Sequence, residues 1–265
     1  MNILEALILG LVQGLTEFLP VSSSAHLVIV PDLLGWEAPS TSFDVMLHLG
    51  TMVAVLAYFW RDITEIAVAF FQKGEKALAR RRLGALIILG TIPAGVLGAL
   101  LEKKFEEMFD EPAQVALFLI ITGVILVASE AVARRQRHIG DLKVSDSLLV
   151  GLAQAVAIAP GISRSGSTIS MGLFLGLTRE AAARFSFLLS IPIIAGAALF
   201  KLRHGLGSGN GEGAATLAVG FLAAAISGFA AVRFLLGYVR RHNLRLFALY
   251  CWVVGGGVLA WKLIG

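Results

Sequence analysis

A single cysteine, Cys251, in 265 residues leaves no partner for an internal disulfide and no thiolate set for a zinc centre. Charge is scarce too: Asp, Glu, Lys and Arg make up 15% of the chain, where soluble domains carry about 25%. A chain so poor in charge cannot cover the outside of a water-facing globule. The N-terminus lacks a basic lead and a small-residue cleavage site, and Glu5, Gln13 and Glu17 interrupt its first apolar segment, which argues against a cleaved signal peptide. The bases form no continuous face and do not alternate with aromatics. The net charge of +4 and isoelectric point near 9.5 therefore point away from nucleic acid, and toward loop anchoring and anionic lipid.

What the chain does have is apolar length: 57% of its residues are hydrophobic and the mean hydropathy is +0.82. Six runs, near 43–60, 84–101, 113–130, 183–201, 214–235 and 244–263, are long enough to cross a bilayer, which takes about 17–25 residues. Cys251 lies inside the last run and reads as inert packing. Two more apolar stretches, 3–34 and 147–176, are broken at Pro20 and at Pro160-Gly161, each into two helices too short to span. Paired short helices joined at a break suggest a re-entrant hairpin that returns to the side it entered from. The expected fold is an all-α polytopic membrane protein, a single integral domain over 1–265.

Charge orients the runs. Bases collect at 61–82, at 134–143 and at Arg240, Arg241 and Arg245, which the positive-inside tendency puts in the cytoplasm. The acid-rich segment 102–111 then falls outside. So do Lys201, Arg203 and His204, against the tendency, next to a glycine-rich tract at 205–213 that reads as a flexible loop.

The chain also repeats itself. Gly10-Leu11-Val12-Gln13 matches Gly151-Leu152-Ala153-Gln154, Pro20 matches Pro160, and Phe43 matches Phe185, at an offset that stays near 141. Repeat one covers about 1–135 and repeat two about 141–265. Each holds one hairpin and three crossings; three is odd, so the second repeat is inverted and the two broken tips can meet near the midplane.

The first break carries Gln13, Glu17, Pro20, Ser22, Ser23, Ser24 and His26. Gln13 and Glu17 share a helix face. A carboxylate at membrane depth costs about 2.5–3.5 kcal/mol on insertion scales, and a hard divalent cation, Mg²⁺ or Ca²⁺, bound by Glu17 with Gln13 would offset it; the plain alternative is an interfacial Glu reaching water. The serines cap a helix start whose free N–H groups attract phosphate, with His26 close behind. They could equally be ordinary caps, and His26 an ordinary satisfied buried histidine. The second break reads Pro160-Gly161-Ile162-Ser163-Arg164-Ser165-Gly166-Ser167-Thr168. Gly166 allows close backbone approach, and the Arg164 guanidinium matches phosphate oxygens bidentately. A structural salt bridge to Glu17 is the other reading of Arg164, but the surrounding hydroxyls and glycines favour a phosphate cradle.

With these two motifs the sequence resembles the bacterial undecaprenyl-diphosphatases of the bacitracin-resistance type, over essentially its whole length. In that family the first motif reads Glu or Gln, three residues, then Glu; Gln13 and Glu17 give the Gln form. The resemblance implies an inner-membrane hydrolase that recycles the lipid carrier of cell-wall synthesis, with its site open to the periplasm. It further implies bacitracin resistance on overproduction, a divalent-metal requirement, the inverted-repeat architecture and a homodimer. Family roles carry over onto Glu17, Ser23, His26, Ser163, Arg164 and Thr168. The diphosphate would be held by Arg164 with Ser22, Ser163, Ser165, Gly166 and Thr168, the polyprenyl tail lying between helices. Either Ser23 attacks with His26 or Glu17 as base, or His26 activates a water. A lipid-phosphate flippase or anion transporter is the chief rival, since broken helices in inverted repeats also build transporters; a non-catalytic scaffold is disfavoured by its intramembrane charges. Among the remaining polar residues, Asp44 and His48 read as structural packing before a second layer of the site. Gln154 reads as packing glue, Tyr58, Phe59 and Trp60 as an interfacial belt, and Glu130 and Glu180 as solvated span ends.

Overall fold

Caps and prolines decide where each helix of this chain starts and stops. In a computed structural model, which describes residues 1–107, 111–205 and 212–264, Asn2 opens α1 (Ile3–Phe18) with a reciprocal capping box to Glu5. Pro20 follows the end of α1, and Ser22 caps α2 (Ser23–Leu34), which ends at Gly35 in the left-handed conformation. Ser40 caps α3 (Thr41–Tyr58), and then come α4 (Trp60–Ala69), α5 (Glu75–Glu107) and α6 (Pro112–Val132), the last with proline in its first turn. The second half runs α7 (Val144–Val156), α8 (Arg164–Phe174) capped by Ser163, α9 (Arg179–Gly205), α10 (Ala214–Val239) and α11 (Arg245–Ile264). Among the described residues there is no β-strand, only an isolated bridge between Arg137 and Leu177.

Both expected breaks are present, and six helices are long and apolar enough to cross a membrane: Thr41–Tyr58, Glu75–Leu101, Pro112–Val132, Arg179–Lys201, Ala214–Val239 and Arg245–Leu263. They coincide with the six apolar runs, and the chain is a multi-pass membrane protein. The structure differs in one region. Residues 61–82, expected as a basic connecting segment, hold α4 and the first turns of α5, where Arg80 pairs with Glu65 and Arg184 donates to Asp62 at 2.6 Å. Part of the acidic segment 102–111 and most of the tract 205–213 lie outside the described residues.

Small residues set the packing. α1 lies along α10 and α10 along α3, while α7 lies along α5 and α5 along α9; α6 pairs with α11 and α3 with α9. A Cβ at Gly10 would come within 2.6 Å of the Gly220 carbonyl, and one at Gly151 within 2.3 Å of the Gly90 carbonyl. The repeated glycines are thus the points where backbone meets backbone, as small residues do between membrane helices. Phe18, Phe59 and Phe187 form the aromatic centre, with ring centroids 5.4 Å apart for Phe18–Phe187 and 6.4 Å for Phe59–Phe187.

Three expectations are corrected by this packing. Phe59 is fully buried, so it belongs to the core; Trp60 beside it stays exposed. Glu130 is buried because three segments converge on it: Arg179 donates twice at 2.7 Å, Arg135 at 3.0 Å and the Leu244 N–H at 3.0 Å. Gln154 is buried, but its amide makes no hydrogen bond among the described residues, so it packs without gluing.

Gly151→Val should lower the yield and melting temperature of purified protein sharply, because its methyls have no space against Gly90, and overpacking costs about 1–3 kcal/mol or more. Gly256→Ala, where a Cβ meets nothing within 4 Å, should leave both unchanged. Equal behaviour of the two variants in a thermal-shift assay would refute the backbone contact.

Candidate active site

Two helix starts, 141 residues apart in the chain, are brought tip to tip. Each is capped by a serine: Ser22 accepts from the Ala25 N–H at 3.4 Å, and Ser163 from the Gly166 N–H at 3.0 Å. The chain turns sharply to reach them. Val21 N–H closes on the Leu19 carbonyl at 2.8 Å across Pro20, and Ser22 sits at φ 66°, ψ 97°, a conformation that costs a non-glycine residue about 1–3 kcal/mol. On the second tip Gly161 supplies φ 101°, and its carbonyl accepts from Thr122 of α6 at 3.2 Å. Ser165 donates to the Leu19 carbonyl at 2.9 Å and the Gly161 N–H to Ser24 at 3.4 Å, so the tips are bonded to each other.

Glu17 is the centre of what they enclose. Its carboxylate accepts from Gln13 Nε2 at 3.0 Å, from the Ser23 hydroxyl and from an Arg164 nitrogen of the other tip, and His48 Nε2 stands 3.9 Å away. The Glu17 side chain is 5% exposed and that of Arg164 17%, so the acid is enclosed while the arginine stays partly exposed. Arg164 has five N–H donors and one is on Glu17, which leaves others for an incoming anion.

Of the residues singled out in the sequence, the structure therefore brings together Gln13, Glu17, Ser23 and Arg164. Ser22, Ser163, Ser165, Gly166 and Thr168 lie directly beneath and are buried. Their groups serve the framework: Ser163 also pairs with Ser165 at 3.2 Å, and Thr168 donates to the Arg164 carbonyl at 2.8 Å and meets Ser186 at 2.7 Å. His26 lies one turn along α2, with Nδ1 2.7 Å from the Ser22 carbonyl and Nε2 2.8 Å from the Tyr250 hydroxyl.

The sequence reading undervalued a third group. Asp44 and His48, expected as structural packing, extend the cluster: Lys201 Nζ donates to Asp44 at 2.9 Å, Asp44 Oδ1 lies 3.4 Å from His48 Nδ1, and His48 faces Glu17. The four-residue spacing of Asp44 and His48 was a visible signal, and so was the anomalous placement of Lys201. Tyr250 left no signal at all.

A divalent cation fits the donors. Gln13 Oε1 is buried and unbonded among the described residues, a state that costs about 1–3 kcal/mol, and it stands on the amide that touches the Glu17 carboxylate. No group of three or more His, Cys, Asp or Glu among the described residues is spaced to hold a metal by itself. Two protein oxygens completed by phosphate oxygens and water is the usual provision for Mg²⁺. Chemically, the cluster offers a hydroxyl on a carboxylate with a guanidinium beside it, parts needed for phosphoryl transfer.

Comparison with known proteins agrees in kind. The model of the family described as bacitracin resistance protein BacA matches residues 6–257. The chain is 46% identical to an undecaprenyl-diphosphatase of Pelobacter propionicus over 100% of its own length and 99% of that protein. It is 46% identical to one of Moorella thermoacetica over 94% of each, and 44% identical to one of Methanobrevibacter smithii over 96% of each. An end-to-end match of this depth, with Glu17, Ser23 and Arg164 gathered at the two breaks, makes the chain a member of the bacitracin resistance protein BacA family.

Proposed function

We propose that this protein hydrolyses undecaprenyl diphosphate to undecaprenyl phosphate and inorganic phosphate, regenerating the lipid carrier of peptidoglycan synthesis and conferring bacitracin resistance when overproduced. The observation that carries the proposal is the contact of Arg164 with Glu17 across the two tips, with Ser23 on the same carboxylate. The enzyme would work as a single membrane domain of two inverted repeats, about 1–135 and 141–265, with α1–α2 and α7–α8 as re-entrant hairpins. What supports that architecture is the contact pattern, in which α1 on α10 has its counterpart in α7 on α5. The ion pairs agree with it: Asp32, at the end of the first hairpin, meets Lys262 at the end of α11, whereas Arg137 and Asp146, at the root of the second, pair at the opposite end of the bundle. The site would open to the periplasm and the protein would act as a homodimer.

In the mechanism we favour, Arg164 holds the terminal phosphate and offsets its charge. Ser23 Oγ attacks that phosphorus as Glu17 takes the hydroxyl proton. The bond to the bridging oxygen breaks and undecaprenyl phosphate leaves with the electron pair. Water then cleaves the Ser23 phosphoester, releasing phosphate and restoring the hydroxyl. Glu17 and the Gln13 carbonyl oxygen would hold a divalent cation, whose chemistry is neutralisation of phosphate charge. Lys201, awkward as a topology signal, makes sense as a member of the Asp44–His48–Glu17 chain.

Three outcomes test this reading. Purified protein given undecaprenyl diphosphate should release phosphate, and Glu17→Ala or Arg164→Ala should each lower the rate by at least about 100-fold while the protein still inserts in the membrane. Movement of labelled lipid phosphate across vesicles without phosphate release would instead favour transport. Acid quench of a burst reaction should trap phosphoserine at position 23; near-wild-type turnover by Ser23→Ala would eliminate that route and leave water as the nucleophile. Chelation should stop turnover and Mg²⁺ or Ca²⁺ restore it, with Gln13→Glu lowering the metal concentration for half-maximal rate. Full activity after exhaustive chelation would remove the cation from the scheme.

A further inference from the structure

Both ring nitrogens of His26 are taken. Nδ1 lies 2.7 Å from the Ser22 carbonyl, which can only accept, so Nδ1 carries the hydrogen of the neutral ring. Nε2 is then a lone pair, and the group 2.8 Å from it is the Tyr250 hydroxyl of α11, which must donate. The two rings also stack, with centroids 5.6 Å apart and an interplanar angle of 15°. Imidazole tautomers are set by what the ring nitrogens bond; here the Ser22 carbonyl, which only accepts, selects the Nδ1–H form, and the Tyr250 hydroxyl supports it by donating to Nε2.

Ser22 needs a clamp. Its φ of 66° and ψ of 97° are foreign to a side-chain-bearing residue, and its carbonyl also accepts the His26 backbone N–H at 3.4 Å. The next residue is Ser23, whose hydroxyl sits on Glu17. A chain of contacts thus runs from Tyr250 through His26 and the Ser22 carbonyl to the attacking hydroxyl. We infer that Tyr250 is a positioning residue for the reaction: its hydroxyl donates to Nε2 and orients the His26 ring so that Nδ1–H stays on the Ser22 carbonyl, which locks the strained turn that aims Ser23 at Glu17. The inference rests on the phosphatase reading for its kinetic consequence, and on the Tyr250–His26–Ser22 geometry for the rest. It also gives His26 a part in the reaction without making it the base.

Tyr250→Phe removes the hydroxyl and keeps the ring, and it is the decisive variant. With undecaprenyl diphosphate, kcat should fall about tenfold while KM stays within about twofold, the signature of misaligned reacting groups rather than lost binding. In ¹⁵N-histidine-labelled protein, with the His26 signals assigned by their loss in His26→Gln, the wild type should show protonated Nδ1 and a hydrogen-bonded Nε2. In Tyr250→Phe the Nε2 resonance should move toward that of a free lone pair. Wild-type kcat in Tyr250→Phe, with loss only in Tyr250→Leu, would reduce Tyr250 to packing and overturn the inference, as would an Nε2–H tautomer in the wild type. If the wild type releases no phosphate, the phosphatase reading fails by itself, and the nitrogen spectra of the two proteins still decide whether the clamp exists.

Discussion

The structure depends on the meeting of two places where helices have been interrupted, with Glu17 on one and Arg164 beyond the other. Neither Glu17 nor Arg164 could stay charged alone at membrane depth: insertion scales charge each about 2.5–3.5 kcal/mol at a helix centre. Together they neutralise one another, and the low dielectric strengthens the attraction. The same low dielectric makes a buried pair a poor source of net stability, since desolvation consumes most of the gain. The bond that holds the tips together is therefore better sought elsewhere, in Ser165 to Leu19, Gly161 to Ser24 and Thr122 to Gly161. With the tips fixed by neutral hydrogen bonds, their meeting does not rest on the charged pair alone.

The interruptions themselves explain why polar chemistry can exist here. Unpaired backbone groups are tolerated inside a bilayer only where protein or an aqueous cavity satisfies them, and both tips are bonded to α6 or to each other. The offset of 141 residues between the two tips sets unlike groups at matching positions. At 141 residues, Ser22 corresponds to Ser163, and both remain helix caps. Ser23 corresponds to Arg164, and Glu17 to Ile158. One tip carries the acid and the hydroxyl, the other the guanidinium; both helices start at a serine cap, and the groups around it differ.

Much of this was legible in the sequence because run length and proline position are local signals. They located six spans and two breaks, whereas the Arg164–Glu17 salt bridge, which the structure contains, was the less favoured reading of Arg164. What escaped were contacts decided by neighbours from distant segments. Glu130 stands near the end of its run, so distance to the end suggested water; it is buried because Arg179, Arg135 and the Leu244 N–H converge there. Phe59 and Trp60 are adjacent and equally aromatic, but only one faces Phe187. Tyr250 belongs to no motif, and its partner is 224 residues away. Gly10 and Gly151 were readable as repeat markers, whereas their cause, contact with the Gly220 and Gly90 backbones, required the packing.

Gln13 illustrates how one uncharged position can tune such a site. A carboxylate there would stand about as close to Glu17 as the present amide, 3.0 Å, and two carboxylates at that range cannot both ionise without a proton or a cation between them. The amide instead donates to Glu17, whose carboxylate also accepts from Ser23 and Arg164, while the amide oxygen is buried and unbonded among the described residues. Glu17 is thus satisfied from both tips, by Gln13 and Ser23 on one side and Arg164 on the other.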